Sequence, residues 1–160
     1  GGRCVIGYEA NGGFLTMTPI AGEGRQMAPL PTRDAVIVAV AVLLLAKRRG
    51  TPVSLLPALL PARFTASDRL QNFPTDLSRQ RIDHLAGDRQ RFEIEFPGLG
   101  AVADLDTTDG LRMTLRNDEI VHLRPSGNAP ELRCYTEADS AERAAQLNAE
   151  CLALLDNWRQ

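Results

Sequence analysis

The sequence predicts an α/β protein in two parts, the second of which is a small α+β domain. Three observations carry this prediction: an apolar run over 35–46 with helix signals at both ends, a polar connector over 65–75, and a meander of short strands between two amphipathic helices after residue 76. Such a meander is typical of one sheet covered by helices on one face. The 160 residues allow one domain or two small ones.

The first part begins with strand-like residues 3–7, and a glycine-rich turn, Gly-Tyr-Glu-Ala-Asn-Gly-Gly, follows over 7–13. Thr32 or Asp34 is expected to cap a helix over about 35–49, and Gly50 is its stop signal. This helix is apolar almost all round, which predicts burial on both sides. A second short helix is expected over about 55–60.

The second part begins beyond the connector, where Pro74 disfavours helix. A helix is predicted over 76–86, and 92–96 fits either a strand or the end of a helix before Pro97-Gly98. Asp139 with Glu142 is typical of a capping box at the start of the last helix, which has one apolar stripe. Between these helices we predict four strands joined by turns, over 101–106, 111–115, 119–124 and 131–135, the first turn being Asp109-Gly110.

Composition excludes several classes of function. The net charge of -2 disfavours nucleic acid as a partner, and the 12-residue apolar run is too short to cross a membrane. Lys47 is the one lysine among 18 basic residues, so an anion site would be built from arginine, although base composition also explains this bias. Three widely spaced cysteines favour reduced thiols and a cytoplasmic location. The start at Gly1, without methionine, leads us to expect a piece of a longer protein.

The most informative segment is Arg-Pro-Ser-Gly-Asn-Ala-Pro-Glu-Leu-Arg over 124–133. It places a turn with backbone N–H groups at 126–128 between two strands, with an arginine at each end. Successive N–H groups can form an anion-binding nest, and arginine adds charge-assisted bonds to phosphate. The alternative is an ordinary hairpin turn whose serine, glycine and asparagine serve only backbone geometry. A larger side chain at Gly127 is expected to disturb both backbone and binding.

Other polar residues give weaker signals. Glu9 and Asn11 flank the first turn and have groups that suit sugar hydroxyls, but these residues alone favour a strand-to-loop turn with a solvated glutamate. His84 and His122 have no partners at metal-ligand spacing, and the aspartates at 104, 106 and 109 fit turn chemistry better than a cation site. No nucleophile stands beside a base, so no catalytic residue and no metal ligand is assigned.

Taken in order, the turn at 7–13, the buried helix that begins at Arg33-Asp34-Ala35, the segment 109–113 and the segment 124–138 resemble the carboxy-terminal third of the α-D-phosphohexomutase family, in its bacterial phosphomannomutase/phosphoglucomutase branch. The resemblance implies an α/β remnant of a three-layer third domain over 1–66, a hinge over 67–75, and an α+β fourth domain over 76–160. That fourth domain would have a four-stranded antiparallel sheet with two helices on one face.

The resemblance also implies roles for residues. Glu9 and Asn11 would bind sugar hydroxyls, and the phosphate that is not transferred would be held by Arg124, Ser126, Gly127, Asn128 and Arg133. The family usually has Thr-Glu where this chain has Asn128-Ala129, and serine where Asn11 stands, which leaves the sugar preference open. The substrate class would be hexose phosphates such as mannose or glucose phosphate.

The chemistry that the resemblance implies needs groups outside these 160 residues. The family passes a phosphoryl group from a phosphoserine to a hexose phosphate through a hexose 1,6-bisphosphate, with Mg²⁺ balancing charge. We find neither the serine motif nor the aspartate-rich magnesium motif here, so missing amino-terminal domains of the same chain would supply both. The alternative is a stand-alone, non-catalytic anion-binding or scaffolding module.

Overall fold

The computed structural model describes residues 4–9 and 13–159, and the chain divides into two compact units, Gly1–Pro61 and Ala62–Gln160. Unit 1 holds two small antiparallel hairpins, one helix and a 3-10 helix over Val53–Leu59. Its strands and helix are β1 (Ile6–Tyr8), β2 (Phe14–Thr16), β3 (Ile20–Gly22), β4 (Arg25–Met27) and α1 (Val36–Arg49).

Helix α1 has the ends that its sequence predicts. The Asp34 carboxylate accepts from the backbone N–H groups of Val36 and Ile37 at 2.8 and 3.3 Å, and Gly50 ends the helix in the left-handed conformation. The predicted burial on both sides is wrong for the described residues. Ala46 is the one buried residue of α1, because no described element covers most of its apolar surface.

Unit 2 is a five-stranded antiparallel sheet in the order β5-β9-β8-β7-β6, with three helices. The strands and helices are β5 (Phe64–Gln71), α2 (Thr75–Ala86), α3 (Arg89–Glu95), β6 (Val102–Asp106), β7 (Leu111–Leu115), β8 (Ile120–Pro125), β9 (Glu131–Ala138) and α4 (Ala141–Asp156), followed by a 3-10 turn over Asn157–Arg159. The meander β6–β9 is the one that the turn signals predict.

The sheet has five strands where four were predicted, and three helices accompany it where two were predicted. Strand β5 occupies 64–71, much of the predicted connector, and pairs with β9 along its whole length. An edge strand needs only one paired side, so the polar residues of 65–71 do not prevent it. Residues 67–71 are therefore strand rather than linker. The assignment of a hinge, and of third and fourth domains, to these ranges stays a prediction.

The helices of unit 2 begin at residues with identifiable caps. The Asp88 carboxylate accepts from Gln90 N–H and starts α3, so the segment 92–96 ends a helix rather than forming a strand. At α4 the cap is Ser140, whose hydroxyl accepts from Arg143 N–H at 3.2 Å. The predicted capping box of Asp139 and Glu142 is therefore wrong, because the cap is Ser140 and the residue three positions later is Arg143. No helix of the described chain is long and apolar enough to cross a membrane.

The core lies between the helices and one face of the sheet. Phe92 stacks on Phe96 with ring centroids 4.7 Å apart, and Phe96 meets Trp158 edge-on at 5.8 Å. Cys134 of β9 and Cys151 of α4 are buried in the same cluster. A hydrogen bond between the two thiols, together with burial, raises the pKa of Cys151, so this thiol stays protonated at neutral pH.

The opposite face of the sheet is polar. Along β9 the buried residues Leu132, Cys134, Thr136 and Ala138 alternate with half-buried polar ones. Because side chains alternate along a strand, the second set shares the open face, and register extends this face across the neighbouring strands. Its members include Ser67 and Arg69 of β5, Arg133 and Tyr135 of β9, His122 and Arg124 of β8, and Arg112 of β7.

One ion pair joins the sheet to the last helix. The Glu119 side chain, about 10% exposed, precedes β8 and accepts from Arg143 Nε and, at 2.9 Å, from Nη2. These hydrogen bonds lower the pKa of Glu119 and raise that of Arg143. Such a bidentate pair is stronger than a single contact between charges.

We expect Glu119→Gln to lower the free energy of unfolding at pH 7 by about 2 kcal/mol, because Arg143 loses its bidentate carboxylate partner and keeps the single 3.3 Å contact with Glu150. A carboxylate with a lowered pKa stabilises the fold above its unfolded pKa of about 4.3, and that contribution is lost as pH falls through the folded pKa. In urea unfolding followed by Trp158 fluorescence, the difference between the two proteins therefore shrinks below about pH 4. Glu142→Gln, an exposed change in the same helix, should cost less than about 1 kcal/mol at either pH. A difference that stays constant with pH would contradict the assigned ion pair.

Candidate functional site

The segment between β8 and β9 forms a tight, internally bonded turn. Ser126 N–H donates to the Glu131 carbonyl at 2.9 Å, and Glu131 N–H donates to the Ala129 carbonyl at 2.8 Å. The Ser126 hydroxyl, 5% exposed as a residue, lies 3.4 Å from Asn128 N–H. The predicted nest is therefore smaller than expected, because Ser126 N–H and Asn128 N–H both donate inside the turn.

Arg124 stands on β8 at the entrance to this turn and is half exposed. Its Nε donates to Asp109 Oδ1 at 3.0 Å, so the turn between β6 and β7 orients its guanidinium. That turn depends on Gly110, whose φ is +80°. A Cβ there would lie 2.3 Å from the Leu123 carbonyl oxygen and 3.1 Å from Arg124 Cα. Gly110 thus allows the close approach that places Arg124.

Three of the predicted phosphate-binding residues meet at one cavity of about 300 Å³: Arg124, Ser126 and Gly127. The β6–β7 turn forms a second wall, and helix α2 forms a third through Arg79 and Asp83. Arg79 did not stand out in the sequence, since it is one of two arginines in a largely polar helix. Its position is set by packing of α2 against the sheet.

Arg133 approaches the same turn from β9. Its Nη2 lies 3.4 Å from the Ser126 hydroxyl oxygen, so serine joins the two arginine-bearing strands. The side chain itself lines a second cavity of about 320 Å³, with Ser67, Asp68 and Arg69 of β5 and Tyr135 of β9. The sequence prediction missed these β5 residues because it had no strand there.

Gly127 differs from its prediction. Its φ lies outside the left-handed region, and a Cβ built on it meets no atom within 4 Å. The expectation that a larger side chain there disturbs the backbone is therefore wrong. The absence of a side chain at Gly127 leaves open space beside the turn.

The structure describes one of the two predicted sugar-binding residues, Glu9. In unit 1, Glu9 N–H donates to the Gly13 carbonyl at 2.8 Å, and the Glu9 carboxylate accepts from Arg33 Nη2 at 2.8 Å. The Glu9 side chain remains 44% exposed, so it keeps acceptor capacity for a ligand. Asn11 lies outside the described residues.

The histidines and aspartates serve local structure. His84 lies 3.5 Å from Glu95, and His122 Nε2 contacts the Asp109 carbonyl. Asp106 accepts from Thr108 in a turn, which lowers its pKa. Among residues 4–9 and 13–159, no group of three or more histidine, cysteine, aspartate or glutamate side chains is arranged to hold a metal ion.

Comparison with known proteins decides the family. Residues 81–154 match the family described as "Phosphoglucomutase/phosphomannomutase, C-terminal domain". This segment belongs to that family. The phosphohexomutase resemblance predicted from the motifs is thereby confirmed.

Relatives of this phosphohexomutase domain extend the likeness beyond the matched segment. The chain is 40% identical over 157 residues to a phosphomannomutase of Sinorhizobium fredii, covering 98% of this chain and 33% of that protein. It is 43% identical over 147 residues to a phosphomannomutase of Salmonella muenchen, covering 91% and 30%. The chain thus spans about one third of the length of these curated relatives.

A solved structure shares the fold. A phosphoglucomutase/phosphomannomutase family protein of Burkholderia thailandensis aligns with 92% of this chain and 27% of its own, with a TM-score of 0.57 and 21% identity. At that identity the likeness concerns the fold alone. It agrees with the α/β architecture of the strands and helices given above.

Proposed function

We propose that this chain is the recognition part of a phosphohexomutase of the phosphomannomutase/phosphoglucomutase type. The complete enzyme would interconvert hexose 6-phosphate and hexose 1-phosphate through a hexose 1,6-bisphosphate. The observation that carries the proposal is the convergence of Arg124, Ser126 and Gly127 on one cavity, with Arg133 reaching Ser126 from the next strand.

These groups suit a phosphate monoester that is held rather than transferred. Arg124 offers a guanidinium oriented by Asp109, and Arg133 offers a second one. The Ser126 hydroxyl, the Gly127 backbone N–H and the Asn128 side-chain amide would give further donors to a phosphate oxygen. Because a dianion gains from several fixed donors at once, its position and orientation would both be set here.

Sugar recognition is assigned to the first turn. Glu9 and Asn11 would accept from and donate to hexose hydroxyls, and release of the 2.8 Å pair with Arg33 would free the Glu9 carboxylate. The partners are therefore a mannose or glucose phosphate and the other domains of the mutase. We assign the phosphoserine and the Mg²⁺ of the reaction to those other domains, as the family resemblance implies. Mg²⁺ supplies charge neutralisation for phosphoryl transfer. We assign the enzyme to the cytoplasm, because three widely spaced cysteines favour reduced thiols.

A titration of the 160-residue chain tests the proposal. Mannose 6-phosphate should shift the amide resonances of residues 124–128 in a saturable way, because the phosphate binds their donors. Mannose itself, at the same concentrations, should leave these resonances in place, because it has no phosphate group. Shifts of equal size with both sugars, or none with either, would contradict phosphate recognition by this turn.

A second test concerns chemistry. We expect the chain alone to show no conversion of mannose 6-phosphate to mannose 1-phosphate, even with Mg²⁺ and a hexose bisphosphate, because the phosphoryl donor lies elsewhere. A coupled assay of the purified chain, with host mutase excluded by a mock purification, measures this. Turnover above the mock sample would favour a catalytic group within these residues.

A further inference from the structure

Three arginines form one row across the open face of the sheet. In the register of the sheet Arg69 of β5 pairs with Arg133 of β9, and Arg133 pairs with Arg124 of β8. Neighbouring strands lie about 4.8 Å apart, so the row spans about 10 Å between its outer Cα atoms. Two members of this row already belong to the proposed phosphate site, and Arg69 is the third.

Like charges directly opposite one another on adjacent strands destabilise a sheet. Glu131 offsets this cost, since its Oε1 lies 3.3 Å from Arg69 Nε and its Oε2 lies 3.8 Å from Arg133 Nη2. One carboxylate, 16% exposed, therefore serves two guanidinium groups. Because Arg69 and Arg133 share this one carboxylate, their guanidinium groups keep N–H donors for a further anion.

Space for that anion is present beside the row. Arg69 and Arg133 line the same cavity of about 320 Å³, together with the hydroxyl-bearing Ser67 and Tyr135. Asp68 also lines it, and one of its carboxylate oxygens accepts from Arg69 N–H at 2.8 Å. The Arg69 side chain is 50% exposed and Arg133 37% exposed, so both guanidinium groups are accessible to a ligand.

We propose that Arg69 is a further phosphate-recognition residue of this site, paired with Arg133 across β5 and β9. The inference rests on the proposed function, because it extends the phosphate site of the turn 124–128 by one strand. Glu131 holds the Arg69 side chain beside Arg133 when no ligand is bound. An arriving phosphate meets donors from three adjacent strands rather than two.

The test is a titration of the 160-residue chain with inorganic phosphate, followed by amide resonances, in about 150 mM sodium chloride, where charges more than about 8 Å away are screened. We expect Arg69→Gln to weaken phosphate binding about tenfold, the low end for a hydrogen bond to a charged group. Arg69→Lys should weaken it less, because it keeps the charge but loses the planar fork. The melting temperature without phosphate should be the same in all three proteins, as Arg69 is half exposed.

Arg112→Gln is the matched control, since Arg112 is an exposed arginine on the same face but stands on β7, outside the row. It should bind phosphate as the parent does. Binding by Arg69→Gln equal to the parent, while Arg124→Ala loses binding, would overturn this inference and leave the proposed function standing. Equal loss in Arg69→Gln and Arg112→Gln would also overturn it, because the effect would be general charge. No phosphate-dependent shift in the parent would overturn both proposals.

Discussion

Gly110→Ala is expected to lower the stability of unit 2 by about 3 kcal/mol, which corresponds to a fall of roughly 10–20 °C in its melting temperature. The new Cβ would lie 2.3 Å from a backbone oxygen, that of Leu123, and the residue would keep a φ of +80°. Neither problem is relieved by a side-chain movement, so β7 or β8 must shift. Because Arg124 Cα is 3.1 Å from the same Cβ, phosphate binding falls with stability.

Two other glycines distinguish the effect of the close Cβ contact from the effect of the positive φ. Gly98 has a φ of +89° with open space, and Gly127 has open space and no left-handed φ. Gly98→Ala should cost about 1 kcal/mol through conformation alone, and Gly127→Ala should be nearly neutral. Thermal unfolding followed by Trp158 fluorescence ranks the three variants. Equal stability of Gly110→Ala and Gly127→Ala would show that the close approach at the β7–β8 pair is not needed.

Arg124→Ala in the complete mutase that we propose is expected to lower kcat/KM for hexose phosphate about 100-fold, within the range for losing hydrogen bonds to a charged group. The structure predicts little effect on folding. Arg124 pairs with Asp109 at the surface, where both side chains are well exposed, and such pairs contribute little to stability. The measurement is steady-state kinetics beside a melting curve of each protein.

Arg116→Ala is a suitable control, because Arg116 is an exposed arginine in the turn between β7 and β8 and does not line the cavity at Arg124. Its kcat/KM should match that of the parent enzyme. If Arg124→Ala retains full kcat/KM, the segment 124–128 is only a turn and the site assignment fails. If Arg124→Ala melts much earlier than the parent, its kinetics report folding rather than recognition.

The turn residues made much of unit 2 predictable. Asp109-Gly110 and the segment 126–128 mark two hairpins, and apolar alternation fills the strands between them. The same signals located Arg124 and Arg133 near one another, because a short turn must bring its two flanking strands together. Local sequence determines such turns and the pairing of their flanking strands, so both can be predicted without knowledge of the tertiary structure.

The sequence analysis missed strand β5 because the residues of this segment show no strand pattern of their own. Its neighbours are distant in sequence, since β5 pairs with β9, 60 or more residues away, and packs against α4. A polar edge strand of this kind has the composition of a linker. Arg69 and the cavity beside Arg133 were therefore invisible to sequence reasoning, as was Arg79, which reaches the other cavity through helix packing. The burial of α1 was overestimated for a related reason. An apolar sequence indicates that a helix packs against another element, but it does not identify that element.

The positions of the cysteines and of the single tryptophan suit this chain to an energy-transfer measurement. Cys4, in unit 1, is exposed, whereas Cys134 and Cys151 are buried and the pKa of Cys151 is raised, so a maleimide dye attaches at Cys4. Trp158, the single tryptophan, lies in unit 2. Energy transfer from this indole to a dye at Cys4 reports the separation of the two units without any engineered residue. The donor lifetime, measured with and without a sugar phosphate, therefore tests whether that separation changes when the ligand binds.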